Sequence, residues 1–208
     1  MPDDTLIDEL EDGDRSTGAG GARIAPVPVD ERVGDIRELL DKAQAASAPD
    51  ANIFATLVRA PGVFRRWLPF GGKLLNGKIP PRERELLILR TGWNCGAEYE
   101  WAQHAVIGER CGLTREEIRR IVDGPEAAGW EPFDVTLLRA ADELHARYSI
   151  TDETWSALAA RYDTAQLIEL PMLVGHYHLV AMTLNSLKVE LDEGLSGFPP
   201  DASASGTH

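Results

Sequence analysis

Apolar positions in the middle of the chain recur at helical spacing, and no segment shows the strict alternation typical of a strand. The clearest apolar run, residues 86–89, follows a proline pair that suits the first turn of a helix. A short turn separates it from a second helix over about residues 97–111, which should end at Gly112 because glycine readily adopts the left-handed conformation. The pattern therefore predicts an all-α fold.

Capping signals define further helices along the chain. Thr114 and Glu117 have capping-box spacing, as do Asp163 and Gln166, and Thr151 is a suitable N-cap. The predicted helices or helical runs are 35–40, 53–59, 63–68, 81–92, 97–111, 134–148, 152–162 and 164–190. A further helix is predicted to begin after Thr114. Residues 84–93 weakly resemble residues 166–175, which suggests two degenerate helical repeats.

Composition divides the chain into three parts. Residues 1–32 are acidic and then rich in glycine and proline, so we expect a flexible N-terminal arm. Residues 33–193 form the predicted helical domain, and residues 194–208 are expected to be a flexible tail.

The charge balance limits the classes of partner. The 208 residues carry a net charge of -13, which disfavours nucleic acid and anionic membrane surfaces as partners. No stretch is expected to reach the roughly 18–20 apolar residues of a membrane span, and an acidic N-terminus is unlike a secretion signal. The sequence therefore predicts a cytoplasmic protein. Its two cysteines, Cys95 and Cys111, are expected to be reduced thiols, and their spacing is not that of a Cys-x-x-Cys pair.

The candidate chemistry lies in the run Glu-Tyr-Glu-Trp-Ala-Gln-His at residues 98–104. Glu100 and His104 are four positions apart, so they share one helix face and could hydrogen-bond to each other or bind the same ligand. Glutamate and histidine are readily tuned for proton transfer near neutral pH. The small residues Ala97 and Gly108 on this face would leave room for a ligand, and Glu85 on the preceding helix could face the same space.

Each of these residues also has a structural interpretation. Glu100 and His104 could form a buried hydrogen bond that only orients helices, and Glu85 could belong to a solvated first turn. Trp101 could line a pocket or pack in the core, whereas Tyr99 is expected to meet another helix or subunit.

Other histidines carry weaker signals. Glu100 and His104 alone do not make a metal site, so no metal and no cofactor is predicted. His176 and His178 are expected to be helix-contact histidines, and His145 is expected at the surface.

The residues match the pattern of a known family. Residues 82–90, 99–104 and 112–118 resemble the carboxymuconolactone decarboxylase family, which includes the AhpD-type alkylhydroperoxidases. Residues 137–144 and 166–170 also resemble its members, so the resemblance covers roughly residues 35–192. It implies an AhpD-like helical domain that assembles as homo-oligomers, trimers or hexamers, with the pocket close to subunit contacts.

One departure from the family pattern concerns its sulfur chemistry. AhpD proteins carry Cys-x-x-Cys-x-x-x-His, but Ala97 and Glu100 occupy those cysteine positions here. Cys95 lies two residues too early to replace the first sulfur. A peroxidase that cycles through an intramolecular disulfide needs two thiols within bonding reach, so the chain should not be a dithiol peroxidase.

Three hypotheses of function follow. The first is a carboxymuconolactone decarboxylase-like lyase or isomerase with cofactor-independent acid/base catalysis on a small carboxylated or oxidised organic substrate. His104 would be the principal acid/base, Glu100 its partner and Glu85 the second carboxylate. The expected substrate-binding residues are Trp101, Tyr99 and Cys95.

The alternatives use the same fold differently. One is an AhpD-like peroxidase that relies on Cys95 as a single thiol of low pKa. The other is a non-catalytic helical oligomer with a vestigial pocket.

Overall fold

The fold is known from a computed structural model that describes residues 21–44 and 51–200. Within those ranges it contains nine α-helices and no β-strand, which confirms the predicted all-α class. A 3-10 turn at Val29–Glu31 precedes the helices. They are α1 (Gly34–Gln44), α2 (Asn52–Leu57), α3 (Pro61–Leu75), α4 (Pro81–Asn94), α5 (Glu98–Arg110), α6 (Arg115–Ile121), α7 (Pro132–Arg147), α8 (Asp152–Ala159) and α9 (Thr164–Leu187).

Helix α4 is the centre of the main core. The side chains of residues 86–89 are almost completely buried, because α5, α6, α7 and α9 all pack around this helix. Because four consecutive residues cover all sides of a helix, an apolar run of this length is expected to lie inside a protein. The burial extends to charged residues of its first half, so Glu85 lies in the interior and not in a solvated first turn.

Local signals set most helix boundaries as predicted. The capping boxes of Thr114 with Glu117 and of Asp163 with Gln166 are both formed, and the Thr151 side chain accepts a hydrogen bond from the Thr154 amide. Other ends are set by packing. Helix α3 continues to Leu75, beyond the predicted 68, whereas α8 and α9 stop about three residues early.

Helix α9 contradicts the expectation that no segment is long and apolar enough for a membrane span. Among the described residues it is the one helix long and apolar enough to cross a membrane by length and composition. It packs against α3, α4, α5, α7 and α8, so burial in the protein core accounts for the apolar side chains on one of its faces.

Both segments expected to be flexible contain residues that pack on the domain. Val27 is buried beside Leu40 and Phe64, and the Arg23 amide donates to the carbonyl of Leu187. Phe198 contacts the tryptophan rings of the core. The packed body thus extends past the expected boundaries at 32 and 193, while residues 1–20 and 201–208 lie outside the described ranges.

A second, smaller apolar cluster joins α1, α2 and α3. Its aromatic rings are Phe54, Phe64 and Trp67, whose centroids lie 5.8–6.3 Å apart. Trp67 also stacks on His176 of α9. This contact holds α3 across from α5 and α9 and leaves a cavity between them.

Candidate active site

A cavity of about 900 Å³ lies between α2 and α3 on one side and α5 and α9 on the other. This size suits a small organic ligand. Its wall is largely apolar, with a limited set of polar side chains. Those polar residues include Arg84, Tyr99, Glu100, Gln103, His104, His176, Tyr177 and Asp192.

His104 and Glu85 form a buried pair at this cavity. The Nδ1 atom of His104 lies 2.7 Å from Oε2 of Glu85, and Glu85 is fully buried. Because a carboxylate can only accept, Nδ1 carries the proton and donates it in this hydrogen bond. The contact orients the imidazole and leaves Nε2 as the nitrogen for proton transfer, as when a carboxylate supports a histidine base.

Arg84 completes the charge balance around Glu85. Its Nε donates to Oε1 of Glu85 at 2.9 Å, and its Nη1 donates to the carbonyl of Leu75 at 2.5 Å. Burial alone would raise the pKa of Glu85, but the neighbouring His104 and Arg84 charges lower it below its ordinary value. Glu85 is therefore an anion held between two cationic or potentially cationic side chains.

Glu100 lies close to this pair but is not bound to it. Both of its carboxylate oxygens are buried and have no hydrogen-bonding partner among the described residues. Burial raises the pKa of Glu100 well above its ordinary value, so this carboxyl group favours the protonated form. The predicted interaction of Glu100 with His104 is thus wrong, because the fold delivers Glu85 to the imidazole instead.

Small residues allow α4 and α5 to approach closely here. A Cβ atom on Gly92 would lie 3.2 Å from Oε1 of Glu100, and one on Gly108 would lie 3.1 Å from the Leu113 side chain. Gly108 and Ala97 do not line the cavity. The space expected beside them is used for helix packing.

Tyr99 lines the cavity and anchors two segments to it. Its hydroxyl donates to Oδ2 of Asp192 at 2.8 Å and accepts from the Ile53 amide at 3.1 Å. Burial, together with the Asp192 charge, raises the pKa of Tyr99. The hydroxyl therefore stays protonated and meets the start of α2, as expected for a residue facing another helix.

Trp101 does not line the cavity, so its prediction as a substrate-binding residue is wrong. The side chain is 2 % exposed and packs edge-on to Trp93 with ring centroids 6.0 Å apart. Phe198 covers both rings. The indole belongs to the apolar core because the helix face it occupies turns toward α4 and the C-terminal segment.

Cys95 is also absent from the cavity, which corrects its expected substrate contact. It caps α4 on the side facing α7 and α9, where its Sγ atom lies 3.9 Å from Nδ1 of His145. Burial raises the pKa of Cys95 to about 12. This environment disfavours the thiolate, whereas a single peroxidatic thiol would need a low pKa.

The fold adds two cavity residues that the sequence did not identify. His176 stacks on Trp67 with centroids 6.1 Å apart, and burial lowers its pKa. Tyr177 sets its ring edge-to-face against His104 at 4.9 Å, and burial raises its pKa well above the ordinary value. Both come from α9, more than 70 residues beyond the motif, so no local spacing could have indicated them.

The cavity brings together groups in different protonation states. Glu85 is anionic, whereas Glu100 favours the protonated carboxylic acid. His104 lies between Glu85 and the cavity. Carboxyl groups whose environments separate their pKa values are typical of acid and base roles in one site. In the part of the chain that the structure describes, these residues do not form a three-ligand metal cluster.

Comparison with protein families gives a match at the same residues. Residues 61–143 match the profile of the Carboxymuconolactone decarboxylase family, and this range includes Glu85, Glu100 and His104. No curated protein matches the chain in sequence.

Solved structures with this fold come from proteins of low sequence identity. The debrominase Bmp8, solved with 2,3,4-tribromopyrrole, is 12 % identical with a TM-score of 0.70 over 82 % of this chain and 91 % of its own. An uncharacterised peroxidase-related protein with an AhpD core from Ralstonia eutropha JMP134 is 17 % identical, with a TM-score of 0.70 over 82 % and 93 %.

A third similar structure is a protein of unknown function from Agrobacterium tumefaciens, ATU0492, described as a putative antioxidant defence protein AhpD. It is 14 % identical with a TM-score of 0.61, over 65 % of this chain and 94 % of its own. At these identities the three structures establish the shared helical fold.

Proposed function

We propose that the chain, whose residues 61–143 match the Carboxymuconolactone decarboxylase family, is a cofactor-independent acid/base enzyme. Its reaction would be decarboxylation or isomerisation of a small carboxylated or oxidised organic molecule. The observation that carries this proposal is the buried His104–Glu85 pair at the wall of the cavity. The family match and the enzymes among the similar structures support an enzymatic role.

His104 is the group that exchanges a proton with the substrate. Glu85 holds its Nδ1 and stabilises the imidazolium, so Nε2 can take up and return a proton during turnover. Glu100, protonated and without a partner, is the second proton donor in the same cavity. Glu85 is thus a positioning residue, whereas His104 and Glu100 would contact the substrate.

A decarboxylation at this site balances without a cofactor. The bond from the substrate carbon to its carboxylate breaks, carbon dioxide leaves, and the electron pair delocalises into a conjugated carbonyl as a dienolate. His104 or Glu100 then donates a proton to the carbon, and the donor recovers a proton from solvent. Arg84 and His104 supply positive charge where the dienolate oxygen develops negative charge.

The cavity wall also indicates which hydrogen-bonding groups the substrate would carry. Trp67 lines it, and the buried indole Nε1 of Trp67 has no hydrogen-bonding partner among the described residues. The Thr56 hydroxyl and the Glu100 carboxyl are the other buried polar groups without a partner among the described residues. An oxygen-bearing small ring that accepts from Trp67 would satisfy this donor, since unsatisfied buried polar groups are costly.

The test measures turnover of carboxymuconolactone and of a panel of small β-keto and vinylogous acids. Carbon dioxide release is the readout of decarboxylation. We expect His104→Gln to lower kcat/KM by about 10²–10⁴-fold, because general acid/base catalysis contributes on that scale. Glu85→Gln should lower kcat and shift the pH profile, since the imidazole loses its anionic partner. Glu98→Gln, a change on the exposed face of the same helix, is the matched control.

Two results would contradict the proposal. The first is unchanged turnover in His104→Gln, with circular dichroism showing a folded protein. The second is a wild-type protein that turns over no member of the panel while its cavity binds no small ring, including 2,3,4-tribromopyrrole. That second result would favour the non-catalytic oligomer.

The assembly is also part of the proposal. We propose that the chain forms a cytoplasmic homo-oligomer, a trimer or hexamer, through an exposed apolar stripe on α9. Its members lie on one helix face at spacings of four, seven and three residues: Ile168, Met172, Leu179 and Met182. The exposed Gly175 at the middle of this stripe would let a second helix approach closely.

A further inference from the structure

Three side chains capable of metal ligation meet outside the cavity. Cys95 follows the last residue of α4, His145 lies in the last turn of α7, and His178 lies in the middle of α9. One ligand atom from each lies within 4.8 Å of the others. None of the three lines the cavity, so the cluster is separate from the acid/base site.

The distances within the cluster are close to those of a metal site. Nδ1 of His145 lies 3.0 Å from Nε2 of His178 and 3.9 Å from Sγ of Cys95. With Zn–N bonds near 2.0–2.1 Å and a Zn–S bond near 2.3 Å, tetrahedral ligand atoms lie about 3.3–3.6 Å apart. Small rotations of the two imidazoles would therefore bring all three atoms to bonding distance.

His178 already has the orientation of a ligand. Its Nδ1 donates to the carbonyl of Val174 at 2.8 Å, which leaves Nε2 as the nitrogen with a lone pair directed at the cluster. Metal-binding histidines commonly donate their second ring nitrogen to a carbonyl or carboxylate, and this fixes the tautomer.

The backbone around the other two ligands is also held in place. Nδ2 of Asn185 donates to the carbonyl of Cys95 at 2.9 Å, joining the end of α4 to α9. Asp142, one turn before His145, accepts from Arg90 at 2.6 Å and from Asn94 at 2.7 Å. These contacts fix α4 and α7 relative to each other and pre-organise the ligands.

We propose that Cys95, His145 and His178 bind one Zn²⁺ ion per chain, with the fourth position open to water or an external ligand. One thiolate and two imidazoles suit zinc, and three protein ligands with an open position are typical of non-structural zinc sites. Binding converts the Cys95 thiol to a thiolate and releases its proton to solvent. The ion ties together the ends of α4 and α7 and the middle of α9.

The experiment uses untagged full-length protein freed of metal by dialysis against a chelator. It is titrated with Co²⁺ as a spectroscopic substitute and then with Zn²⁺. We expect one Co²⁺ per chain, with the near-ultraviolet charge-transfer band of a thiolate ligand and the strong visible bands of tetrahedral geometry. Zn²⁺ should displace the cobalt and raise the thermal midpoint, because a ligand that binds only the folded state stabilises it.

Variants assign the ligands. Cys95→Ser should abolish the charge-transfer band, and His145→Ala or His178→Ala should weaken binding at least 10-fold. Cys111→Ser is the matched control, since it removes the other free thiol and should keep both the band and the affinity.

Three results overturn the proposal. They are no cobalt binding by the wild-type protein, a cobalt spectrum without a thiolate band, or equal affinity and stoichiometry in Cys95→Ser. The wild-type spectrum alone reports thiolate ligation, so the proposal stays testable if a variant fails to fold. In each of these cases the three residues form only a hydrogen-bonded thiol–imidazole cluster.

Discussion

At the scale of single residues, Glu100 is the least satisfied group of the molecule that the structure describes. Its two oxygens are buried without a partner, and Gly92 supplies the space that lets the carboxyl group lie against α4. Because burial raises its pKa, the folded state favours the protonated form. Its contribution to stability is therefore full below its ordinary pKa of about 4.3 and is lost as pH rises toward the folded pKa.

Glu100→Gln should stabilise the protein at neutral pH. The amide carries no charge to bury, so we expect a gain of about 1–3 kcal/mol in the free energy of unfolding at pH 8. The gain should shrink as pH falls toward 4.5. Urea denaturation at several pH values measures it.

The control for that change lies two residues away. Glu98 is exposed on the same helix, so Glu98→Gln should alter stability by less than about 0.5 kcal/mol at every pH. A Glu100→Gln protein that is no more stable than wild type at pH 8 would show that the carboxyl group has found a partner in solution.

The sequence predicted the candidate residues unevenly. Glu85, Glu100 and His104 were identified from residue type and helical spacing, and all three lie at or beside one cavity. Their pairing was wrong because positions i and i+4 indicate a shared face, whereas the angle between α4 and α5 decides which acid reaches the imidazole. Trp101 was misplaced for the same reason.

At the scale of helices, Gly108 is a point of close approach between α5 and α4. A Cβ atom there would lie 3.1 Å from Cδ1 of Leu113 and 3.4 Å from Cδ1 of Leu89. Both leucines are buried, so they have little freedom to move. We expect this close approach to keep His104 on α5 at hydrogen-bonding distance from Glu85 on α4.

Gly108→Val should separate the two helices. We expect a loss of about 1–3 kcal/mol in the free energy of unfolding, because extra methyl groups in a packed contact force side chains out of position. Turnover should fall with it as the His104–Glu85 hydrogen bond lengthens. Denaturant titration and kinetics measure the two effects.

Gly62→Ala is the corresponding control. Gly62 lies in helix α3, and a Cβ atom there meets nothing within 4 Å. Alanine should leave stability unchanged or raise it by up to about 1 kcal/mol, since it restricts the unfolded chain. An equally small effect of Gly108→Val would mean that the α4–α5 spacing is not fixed by this contact.

At the scale of the whole molecule, α9 has two roles on opposite faces. One face carries His176 and Tyr177 to the cavity, and the other presents the exposed apolar stripe. Contiguous exposed apolar side chains commonly mark interaction sites. The long apolar helix is thus accounted for by burial on one side and by the proposed subunit contact on the other.

Leu179→Glu together with Met182→Glu should dissociate the oligomer. Two carboxylates in an apolar contact between subunits would be desolvated without partners, which is costly. Light scattering coupled to size-exclusion chromatography should show a smaller species. Val63→Glu, a change at an exposed apolar residue of α3, should leave the mass unchanged.

An unaltered mass in the α9 double variant, with wild-type circular dichroism, would place the subunit contact elsewhere. A monomeric wild-type protein would contradict the assembly proposal altogether. Neither result bears on the His104–Glu85 pair, which is formed within one chain.

The sequence by itself determined the helical class, most helix boundaries and the location of the acid/base motif. These depend on local physics: apolar periodicity, capping hydrogen bonds and residue chemistry are all encoded within a few positions. Tertiary structure alone decided that Glu85 pairs with His104, that Trp101 lies in the core, and that α9 completes the cavity. It also brought Cys95 to His145 and His178, because contacts between residues 33 and more positions apart depend on how the helices pack.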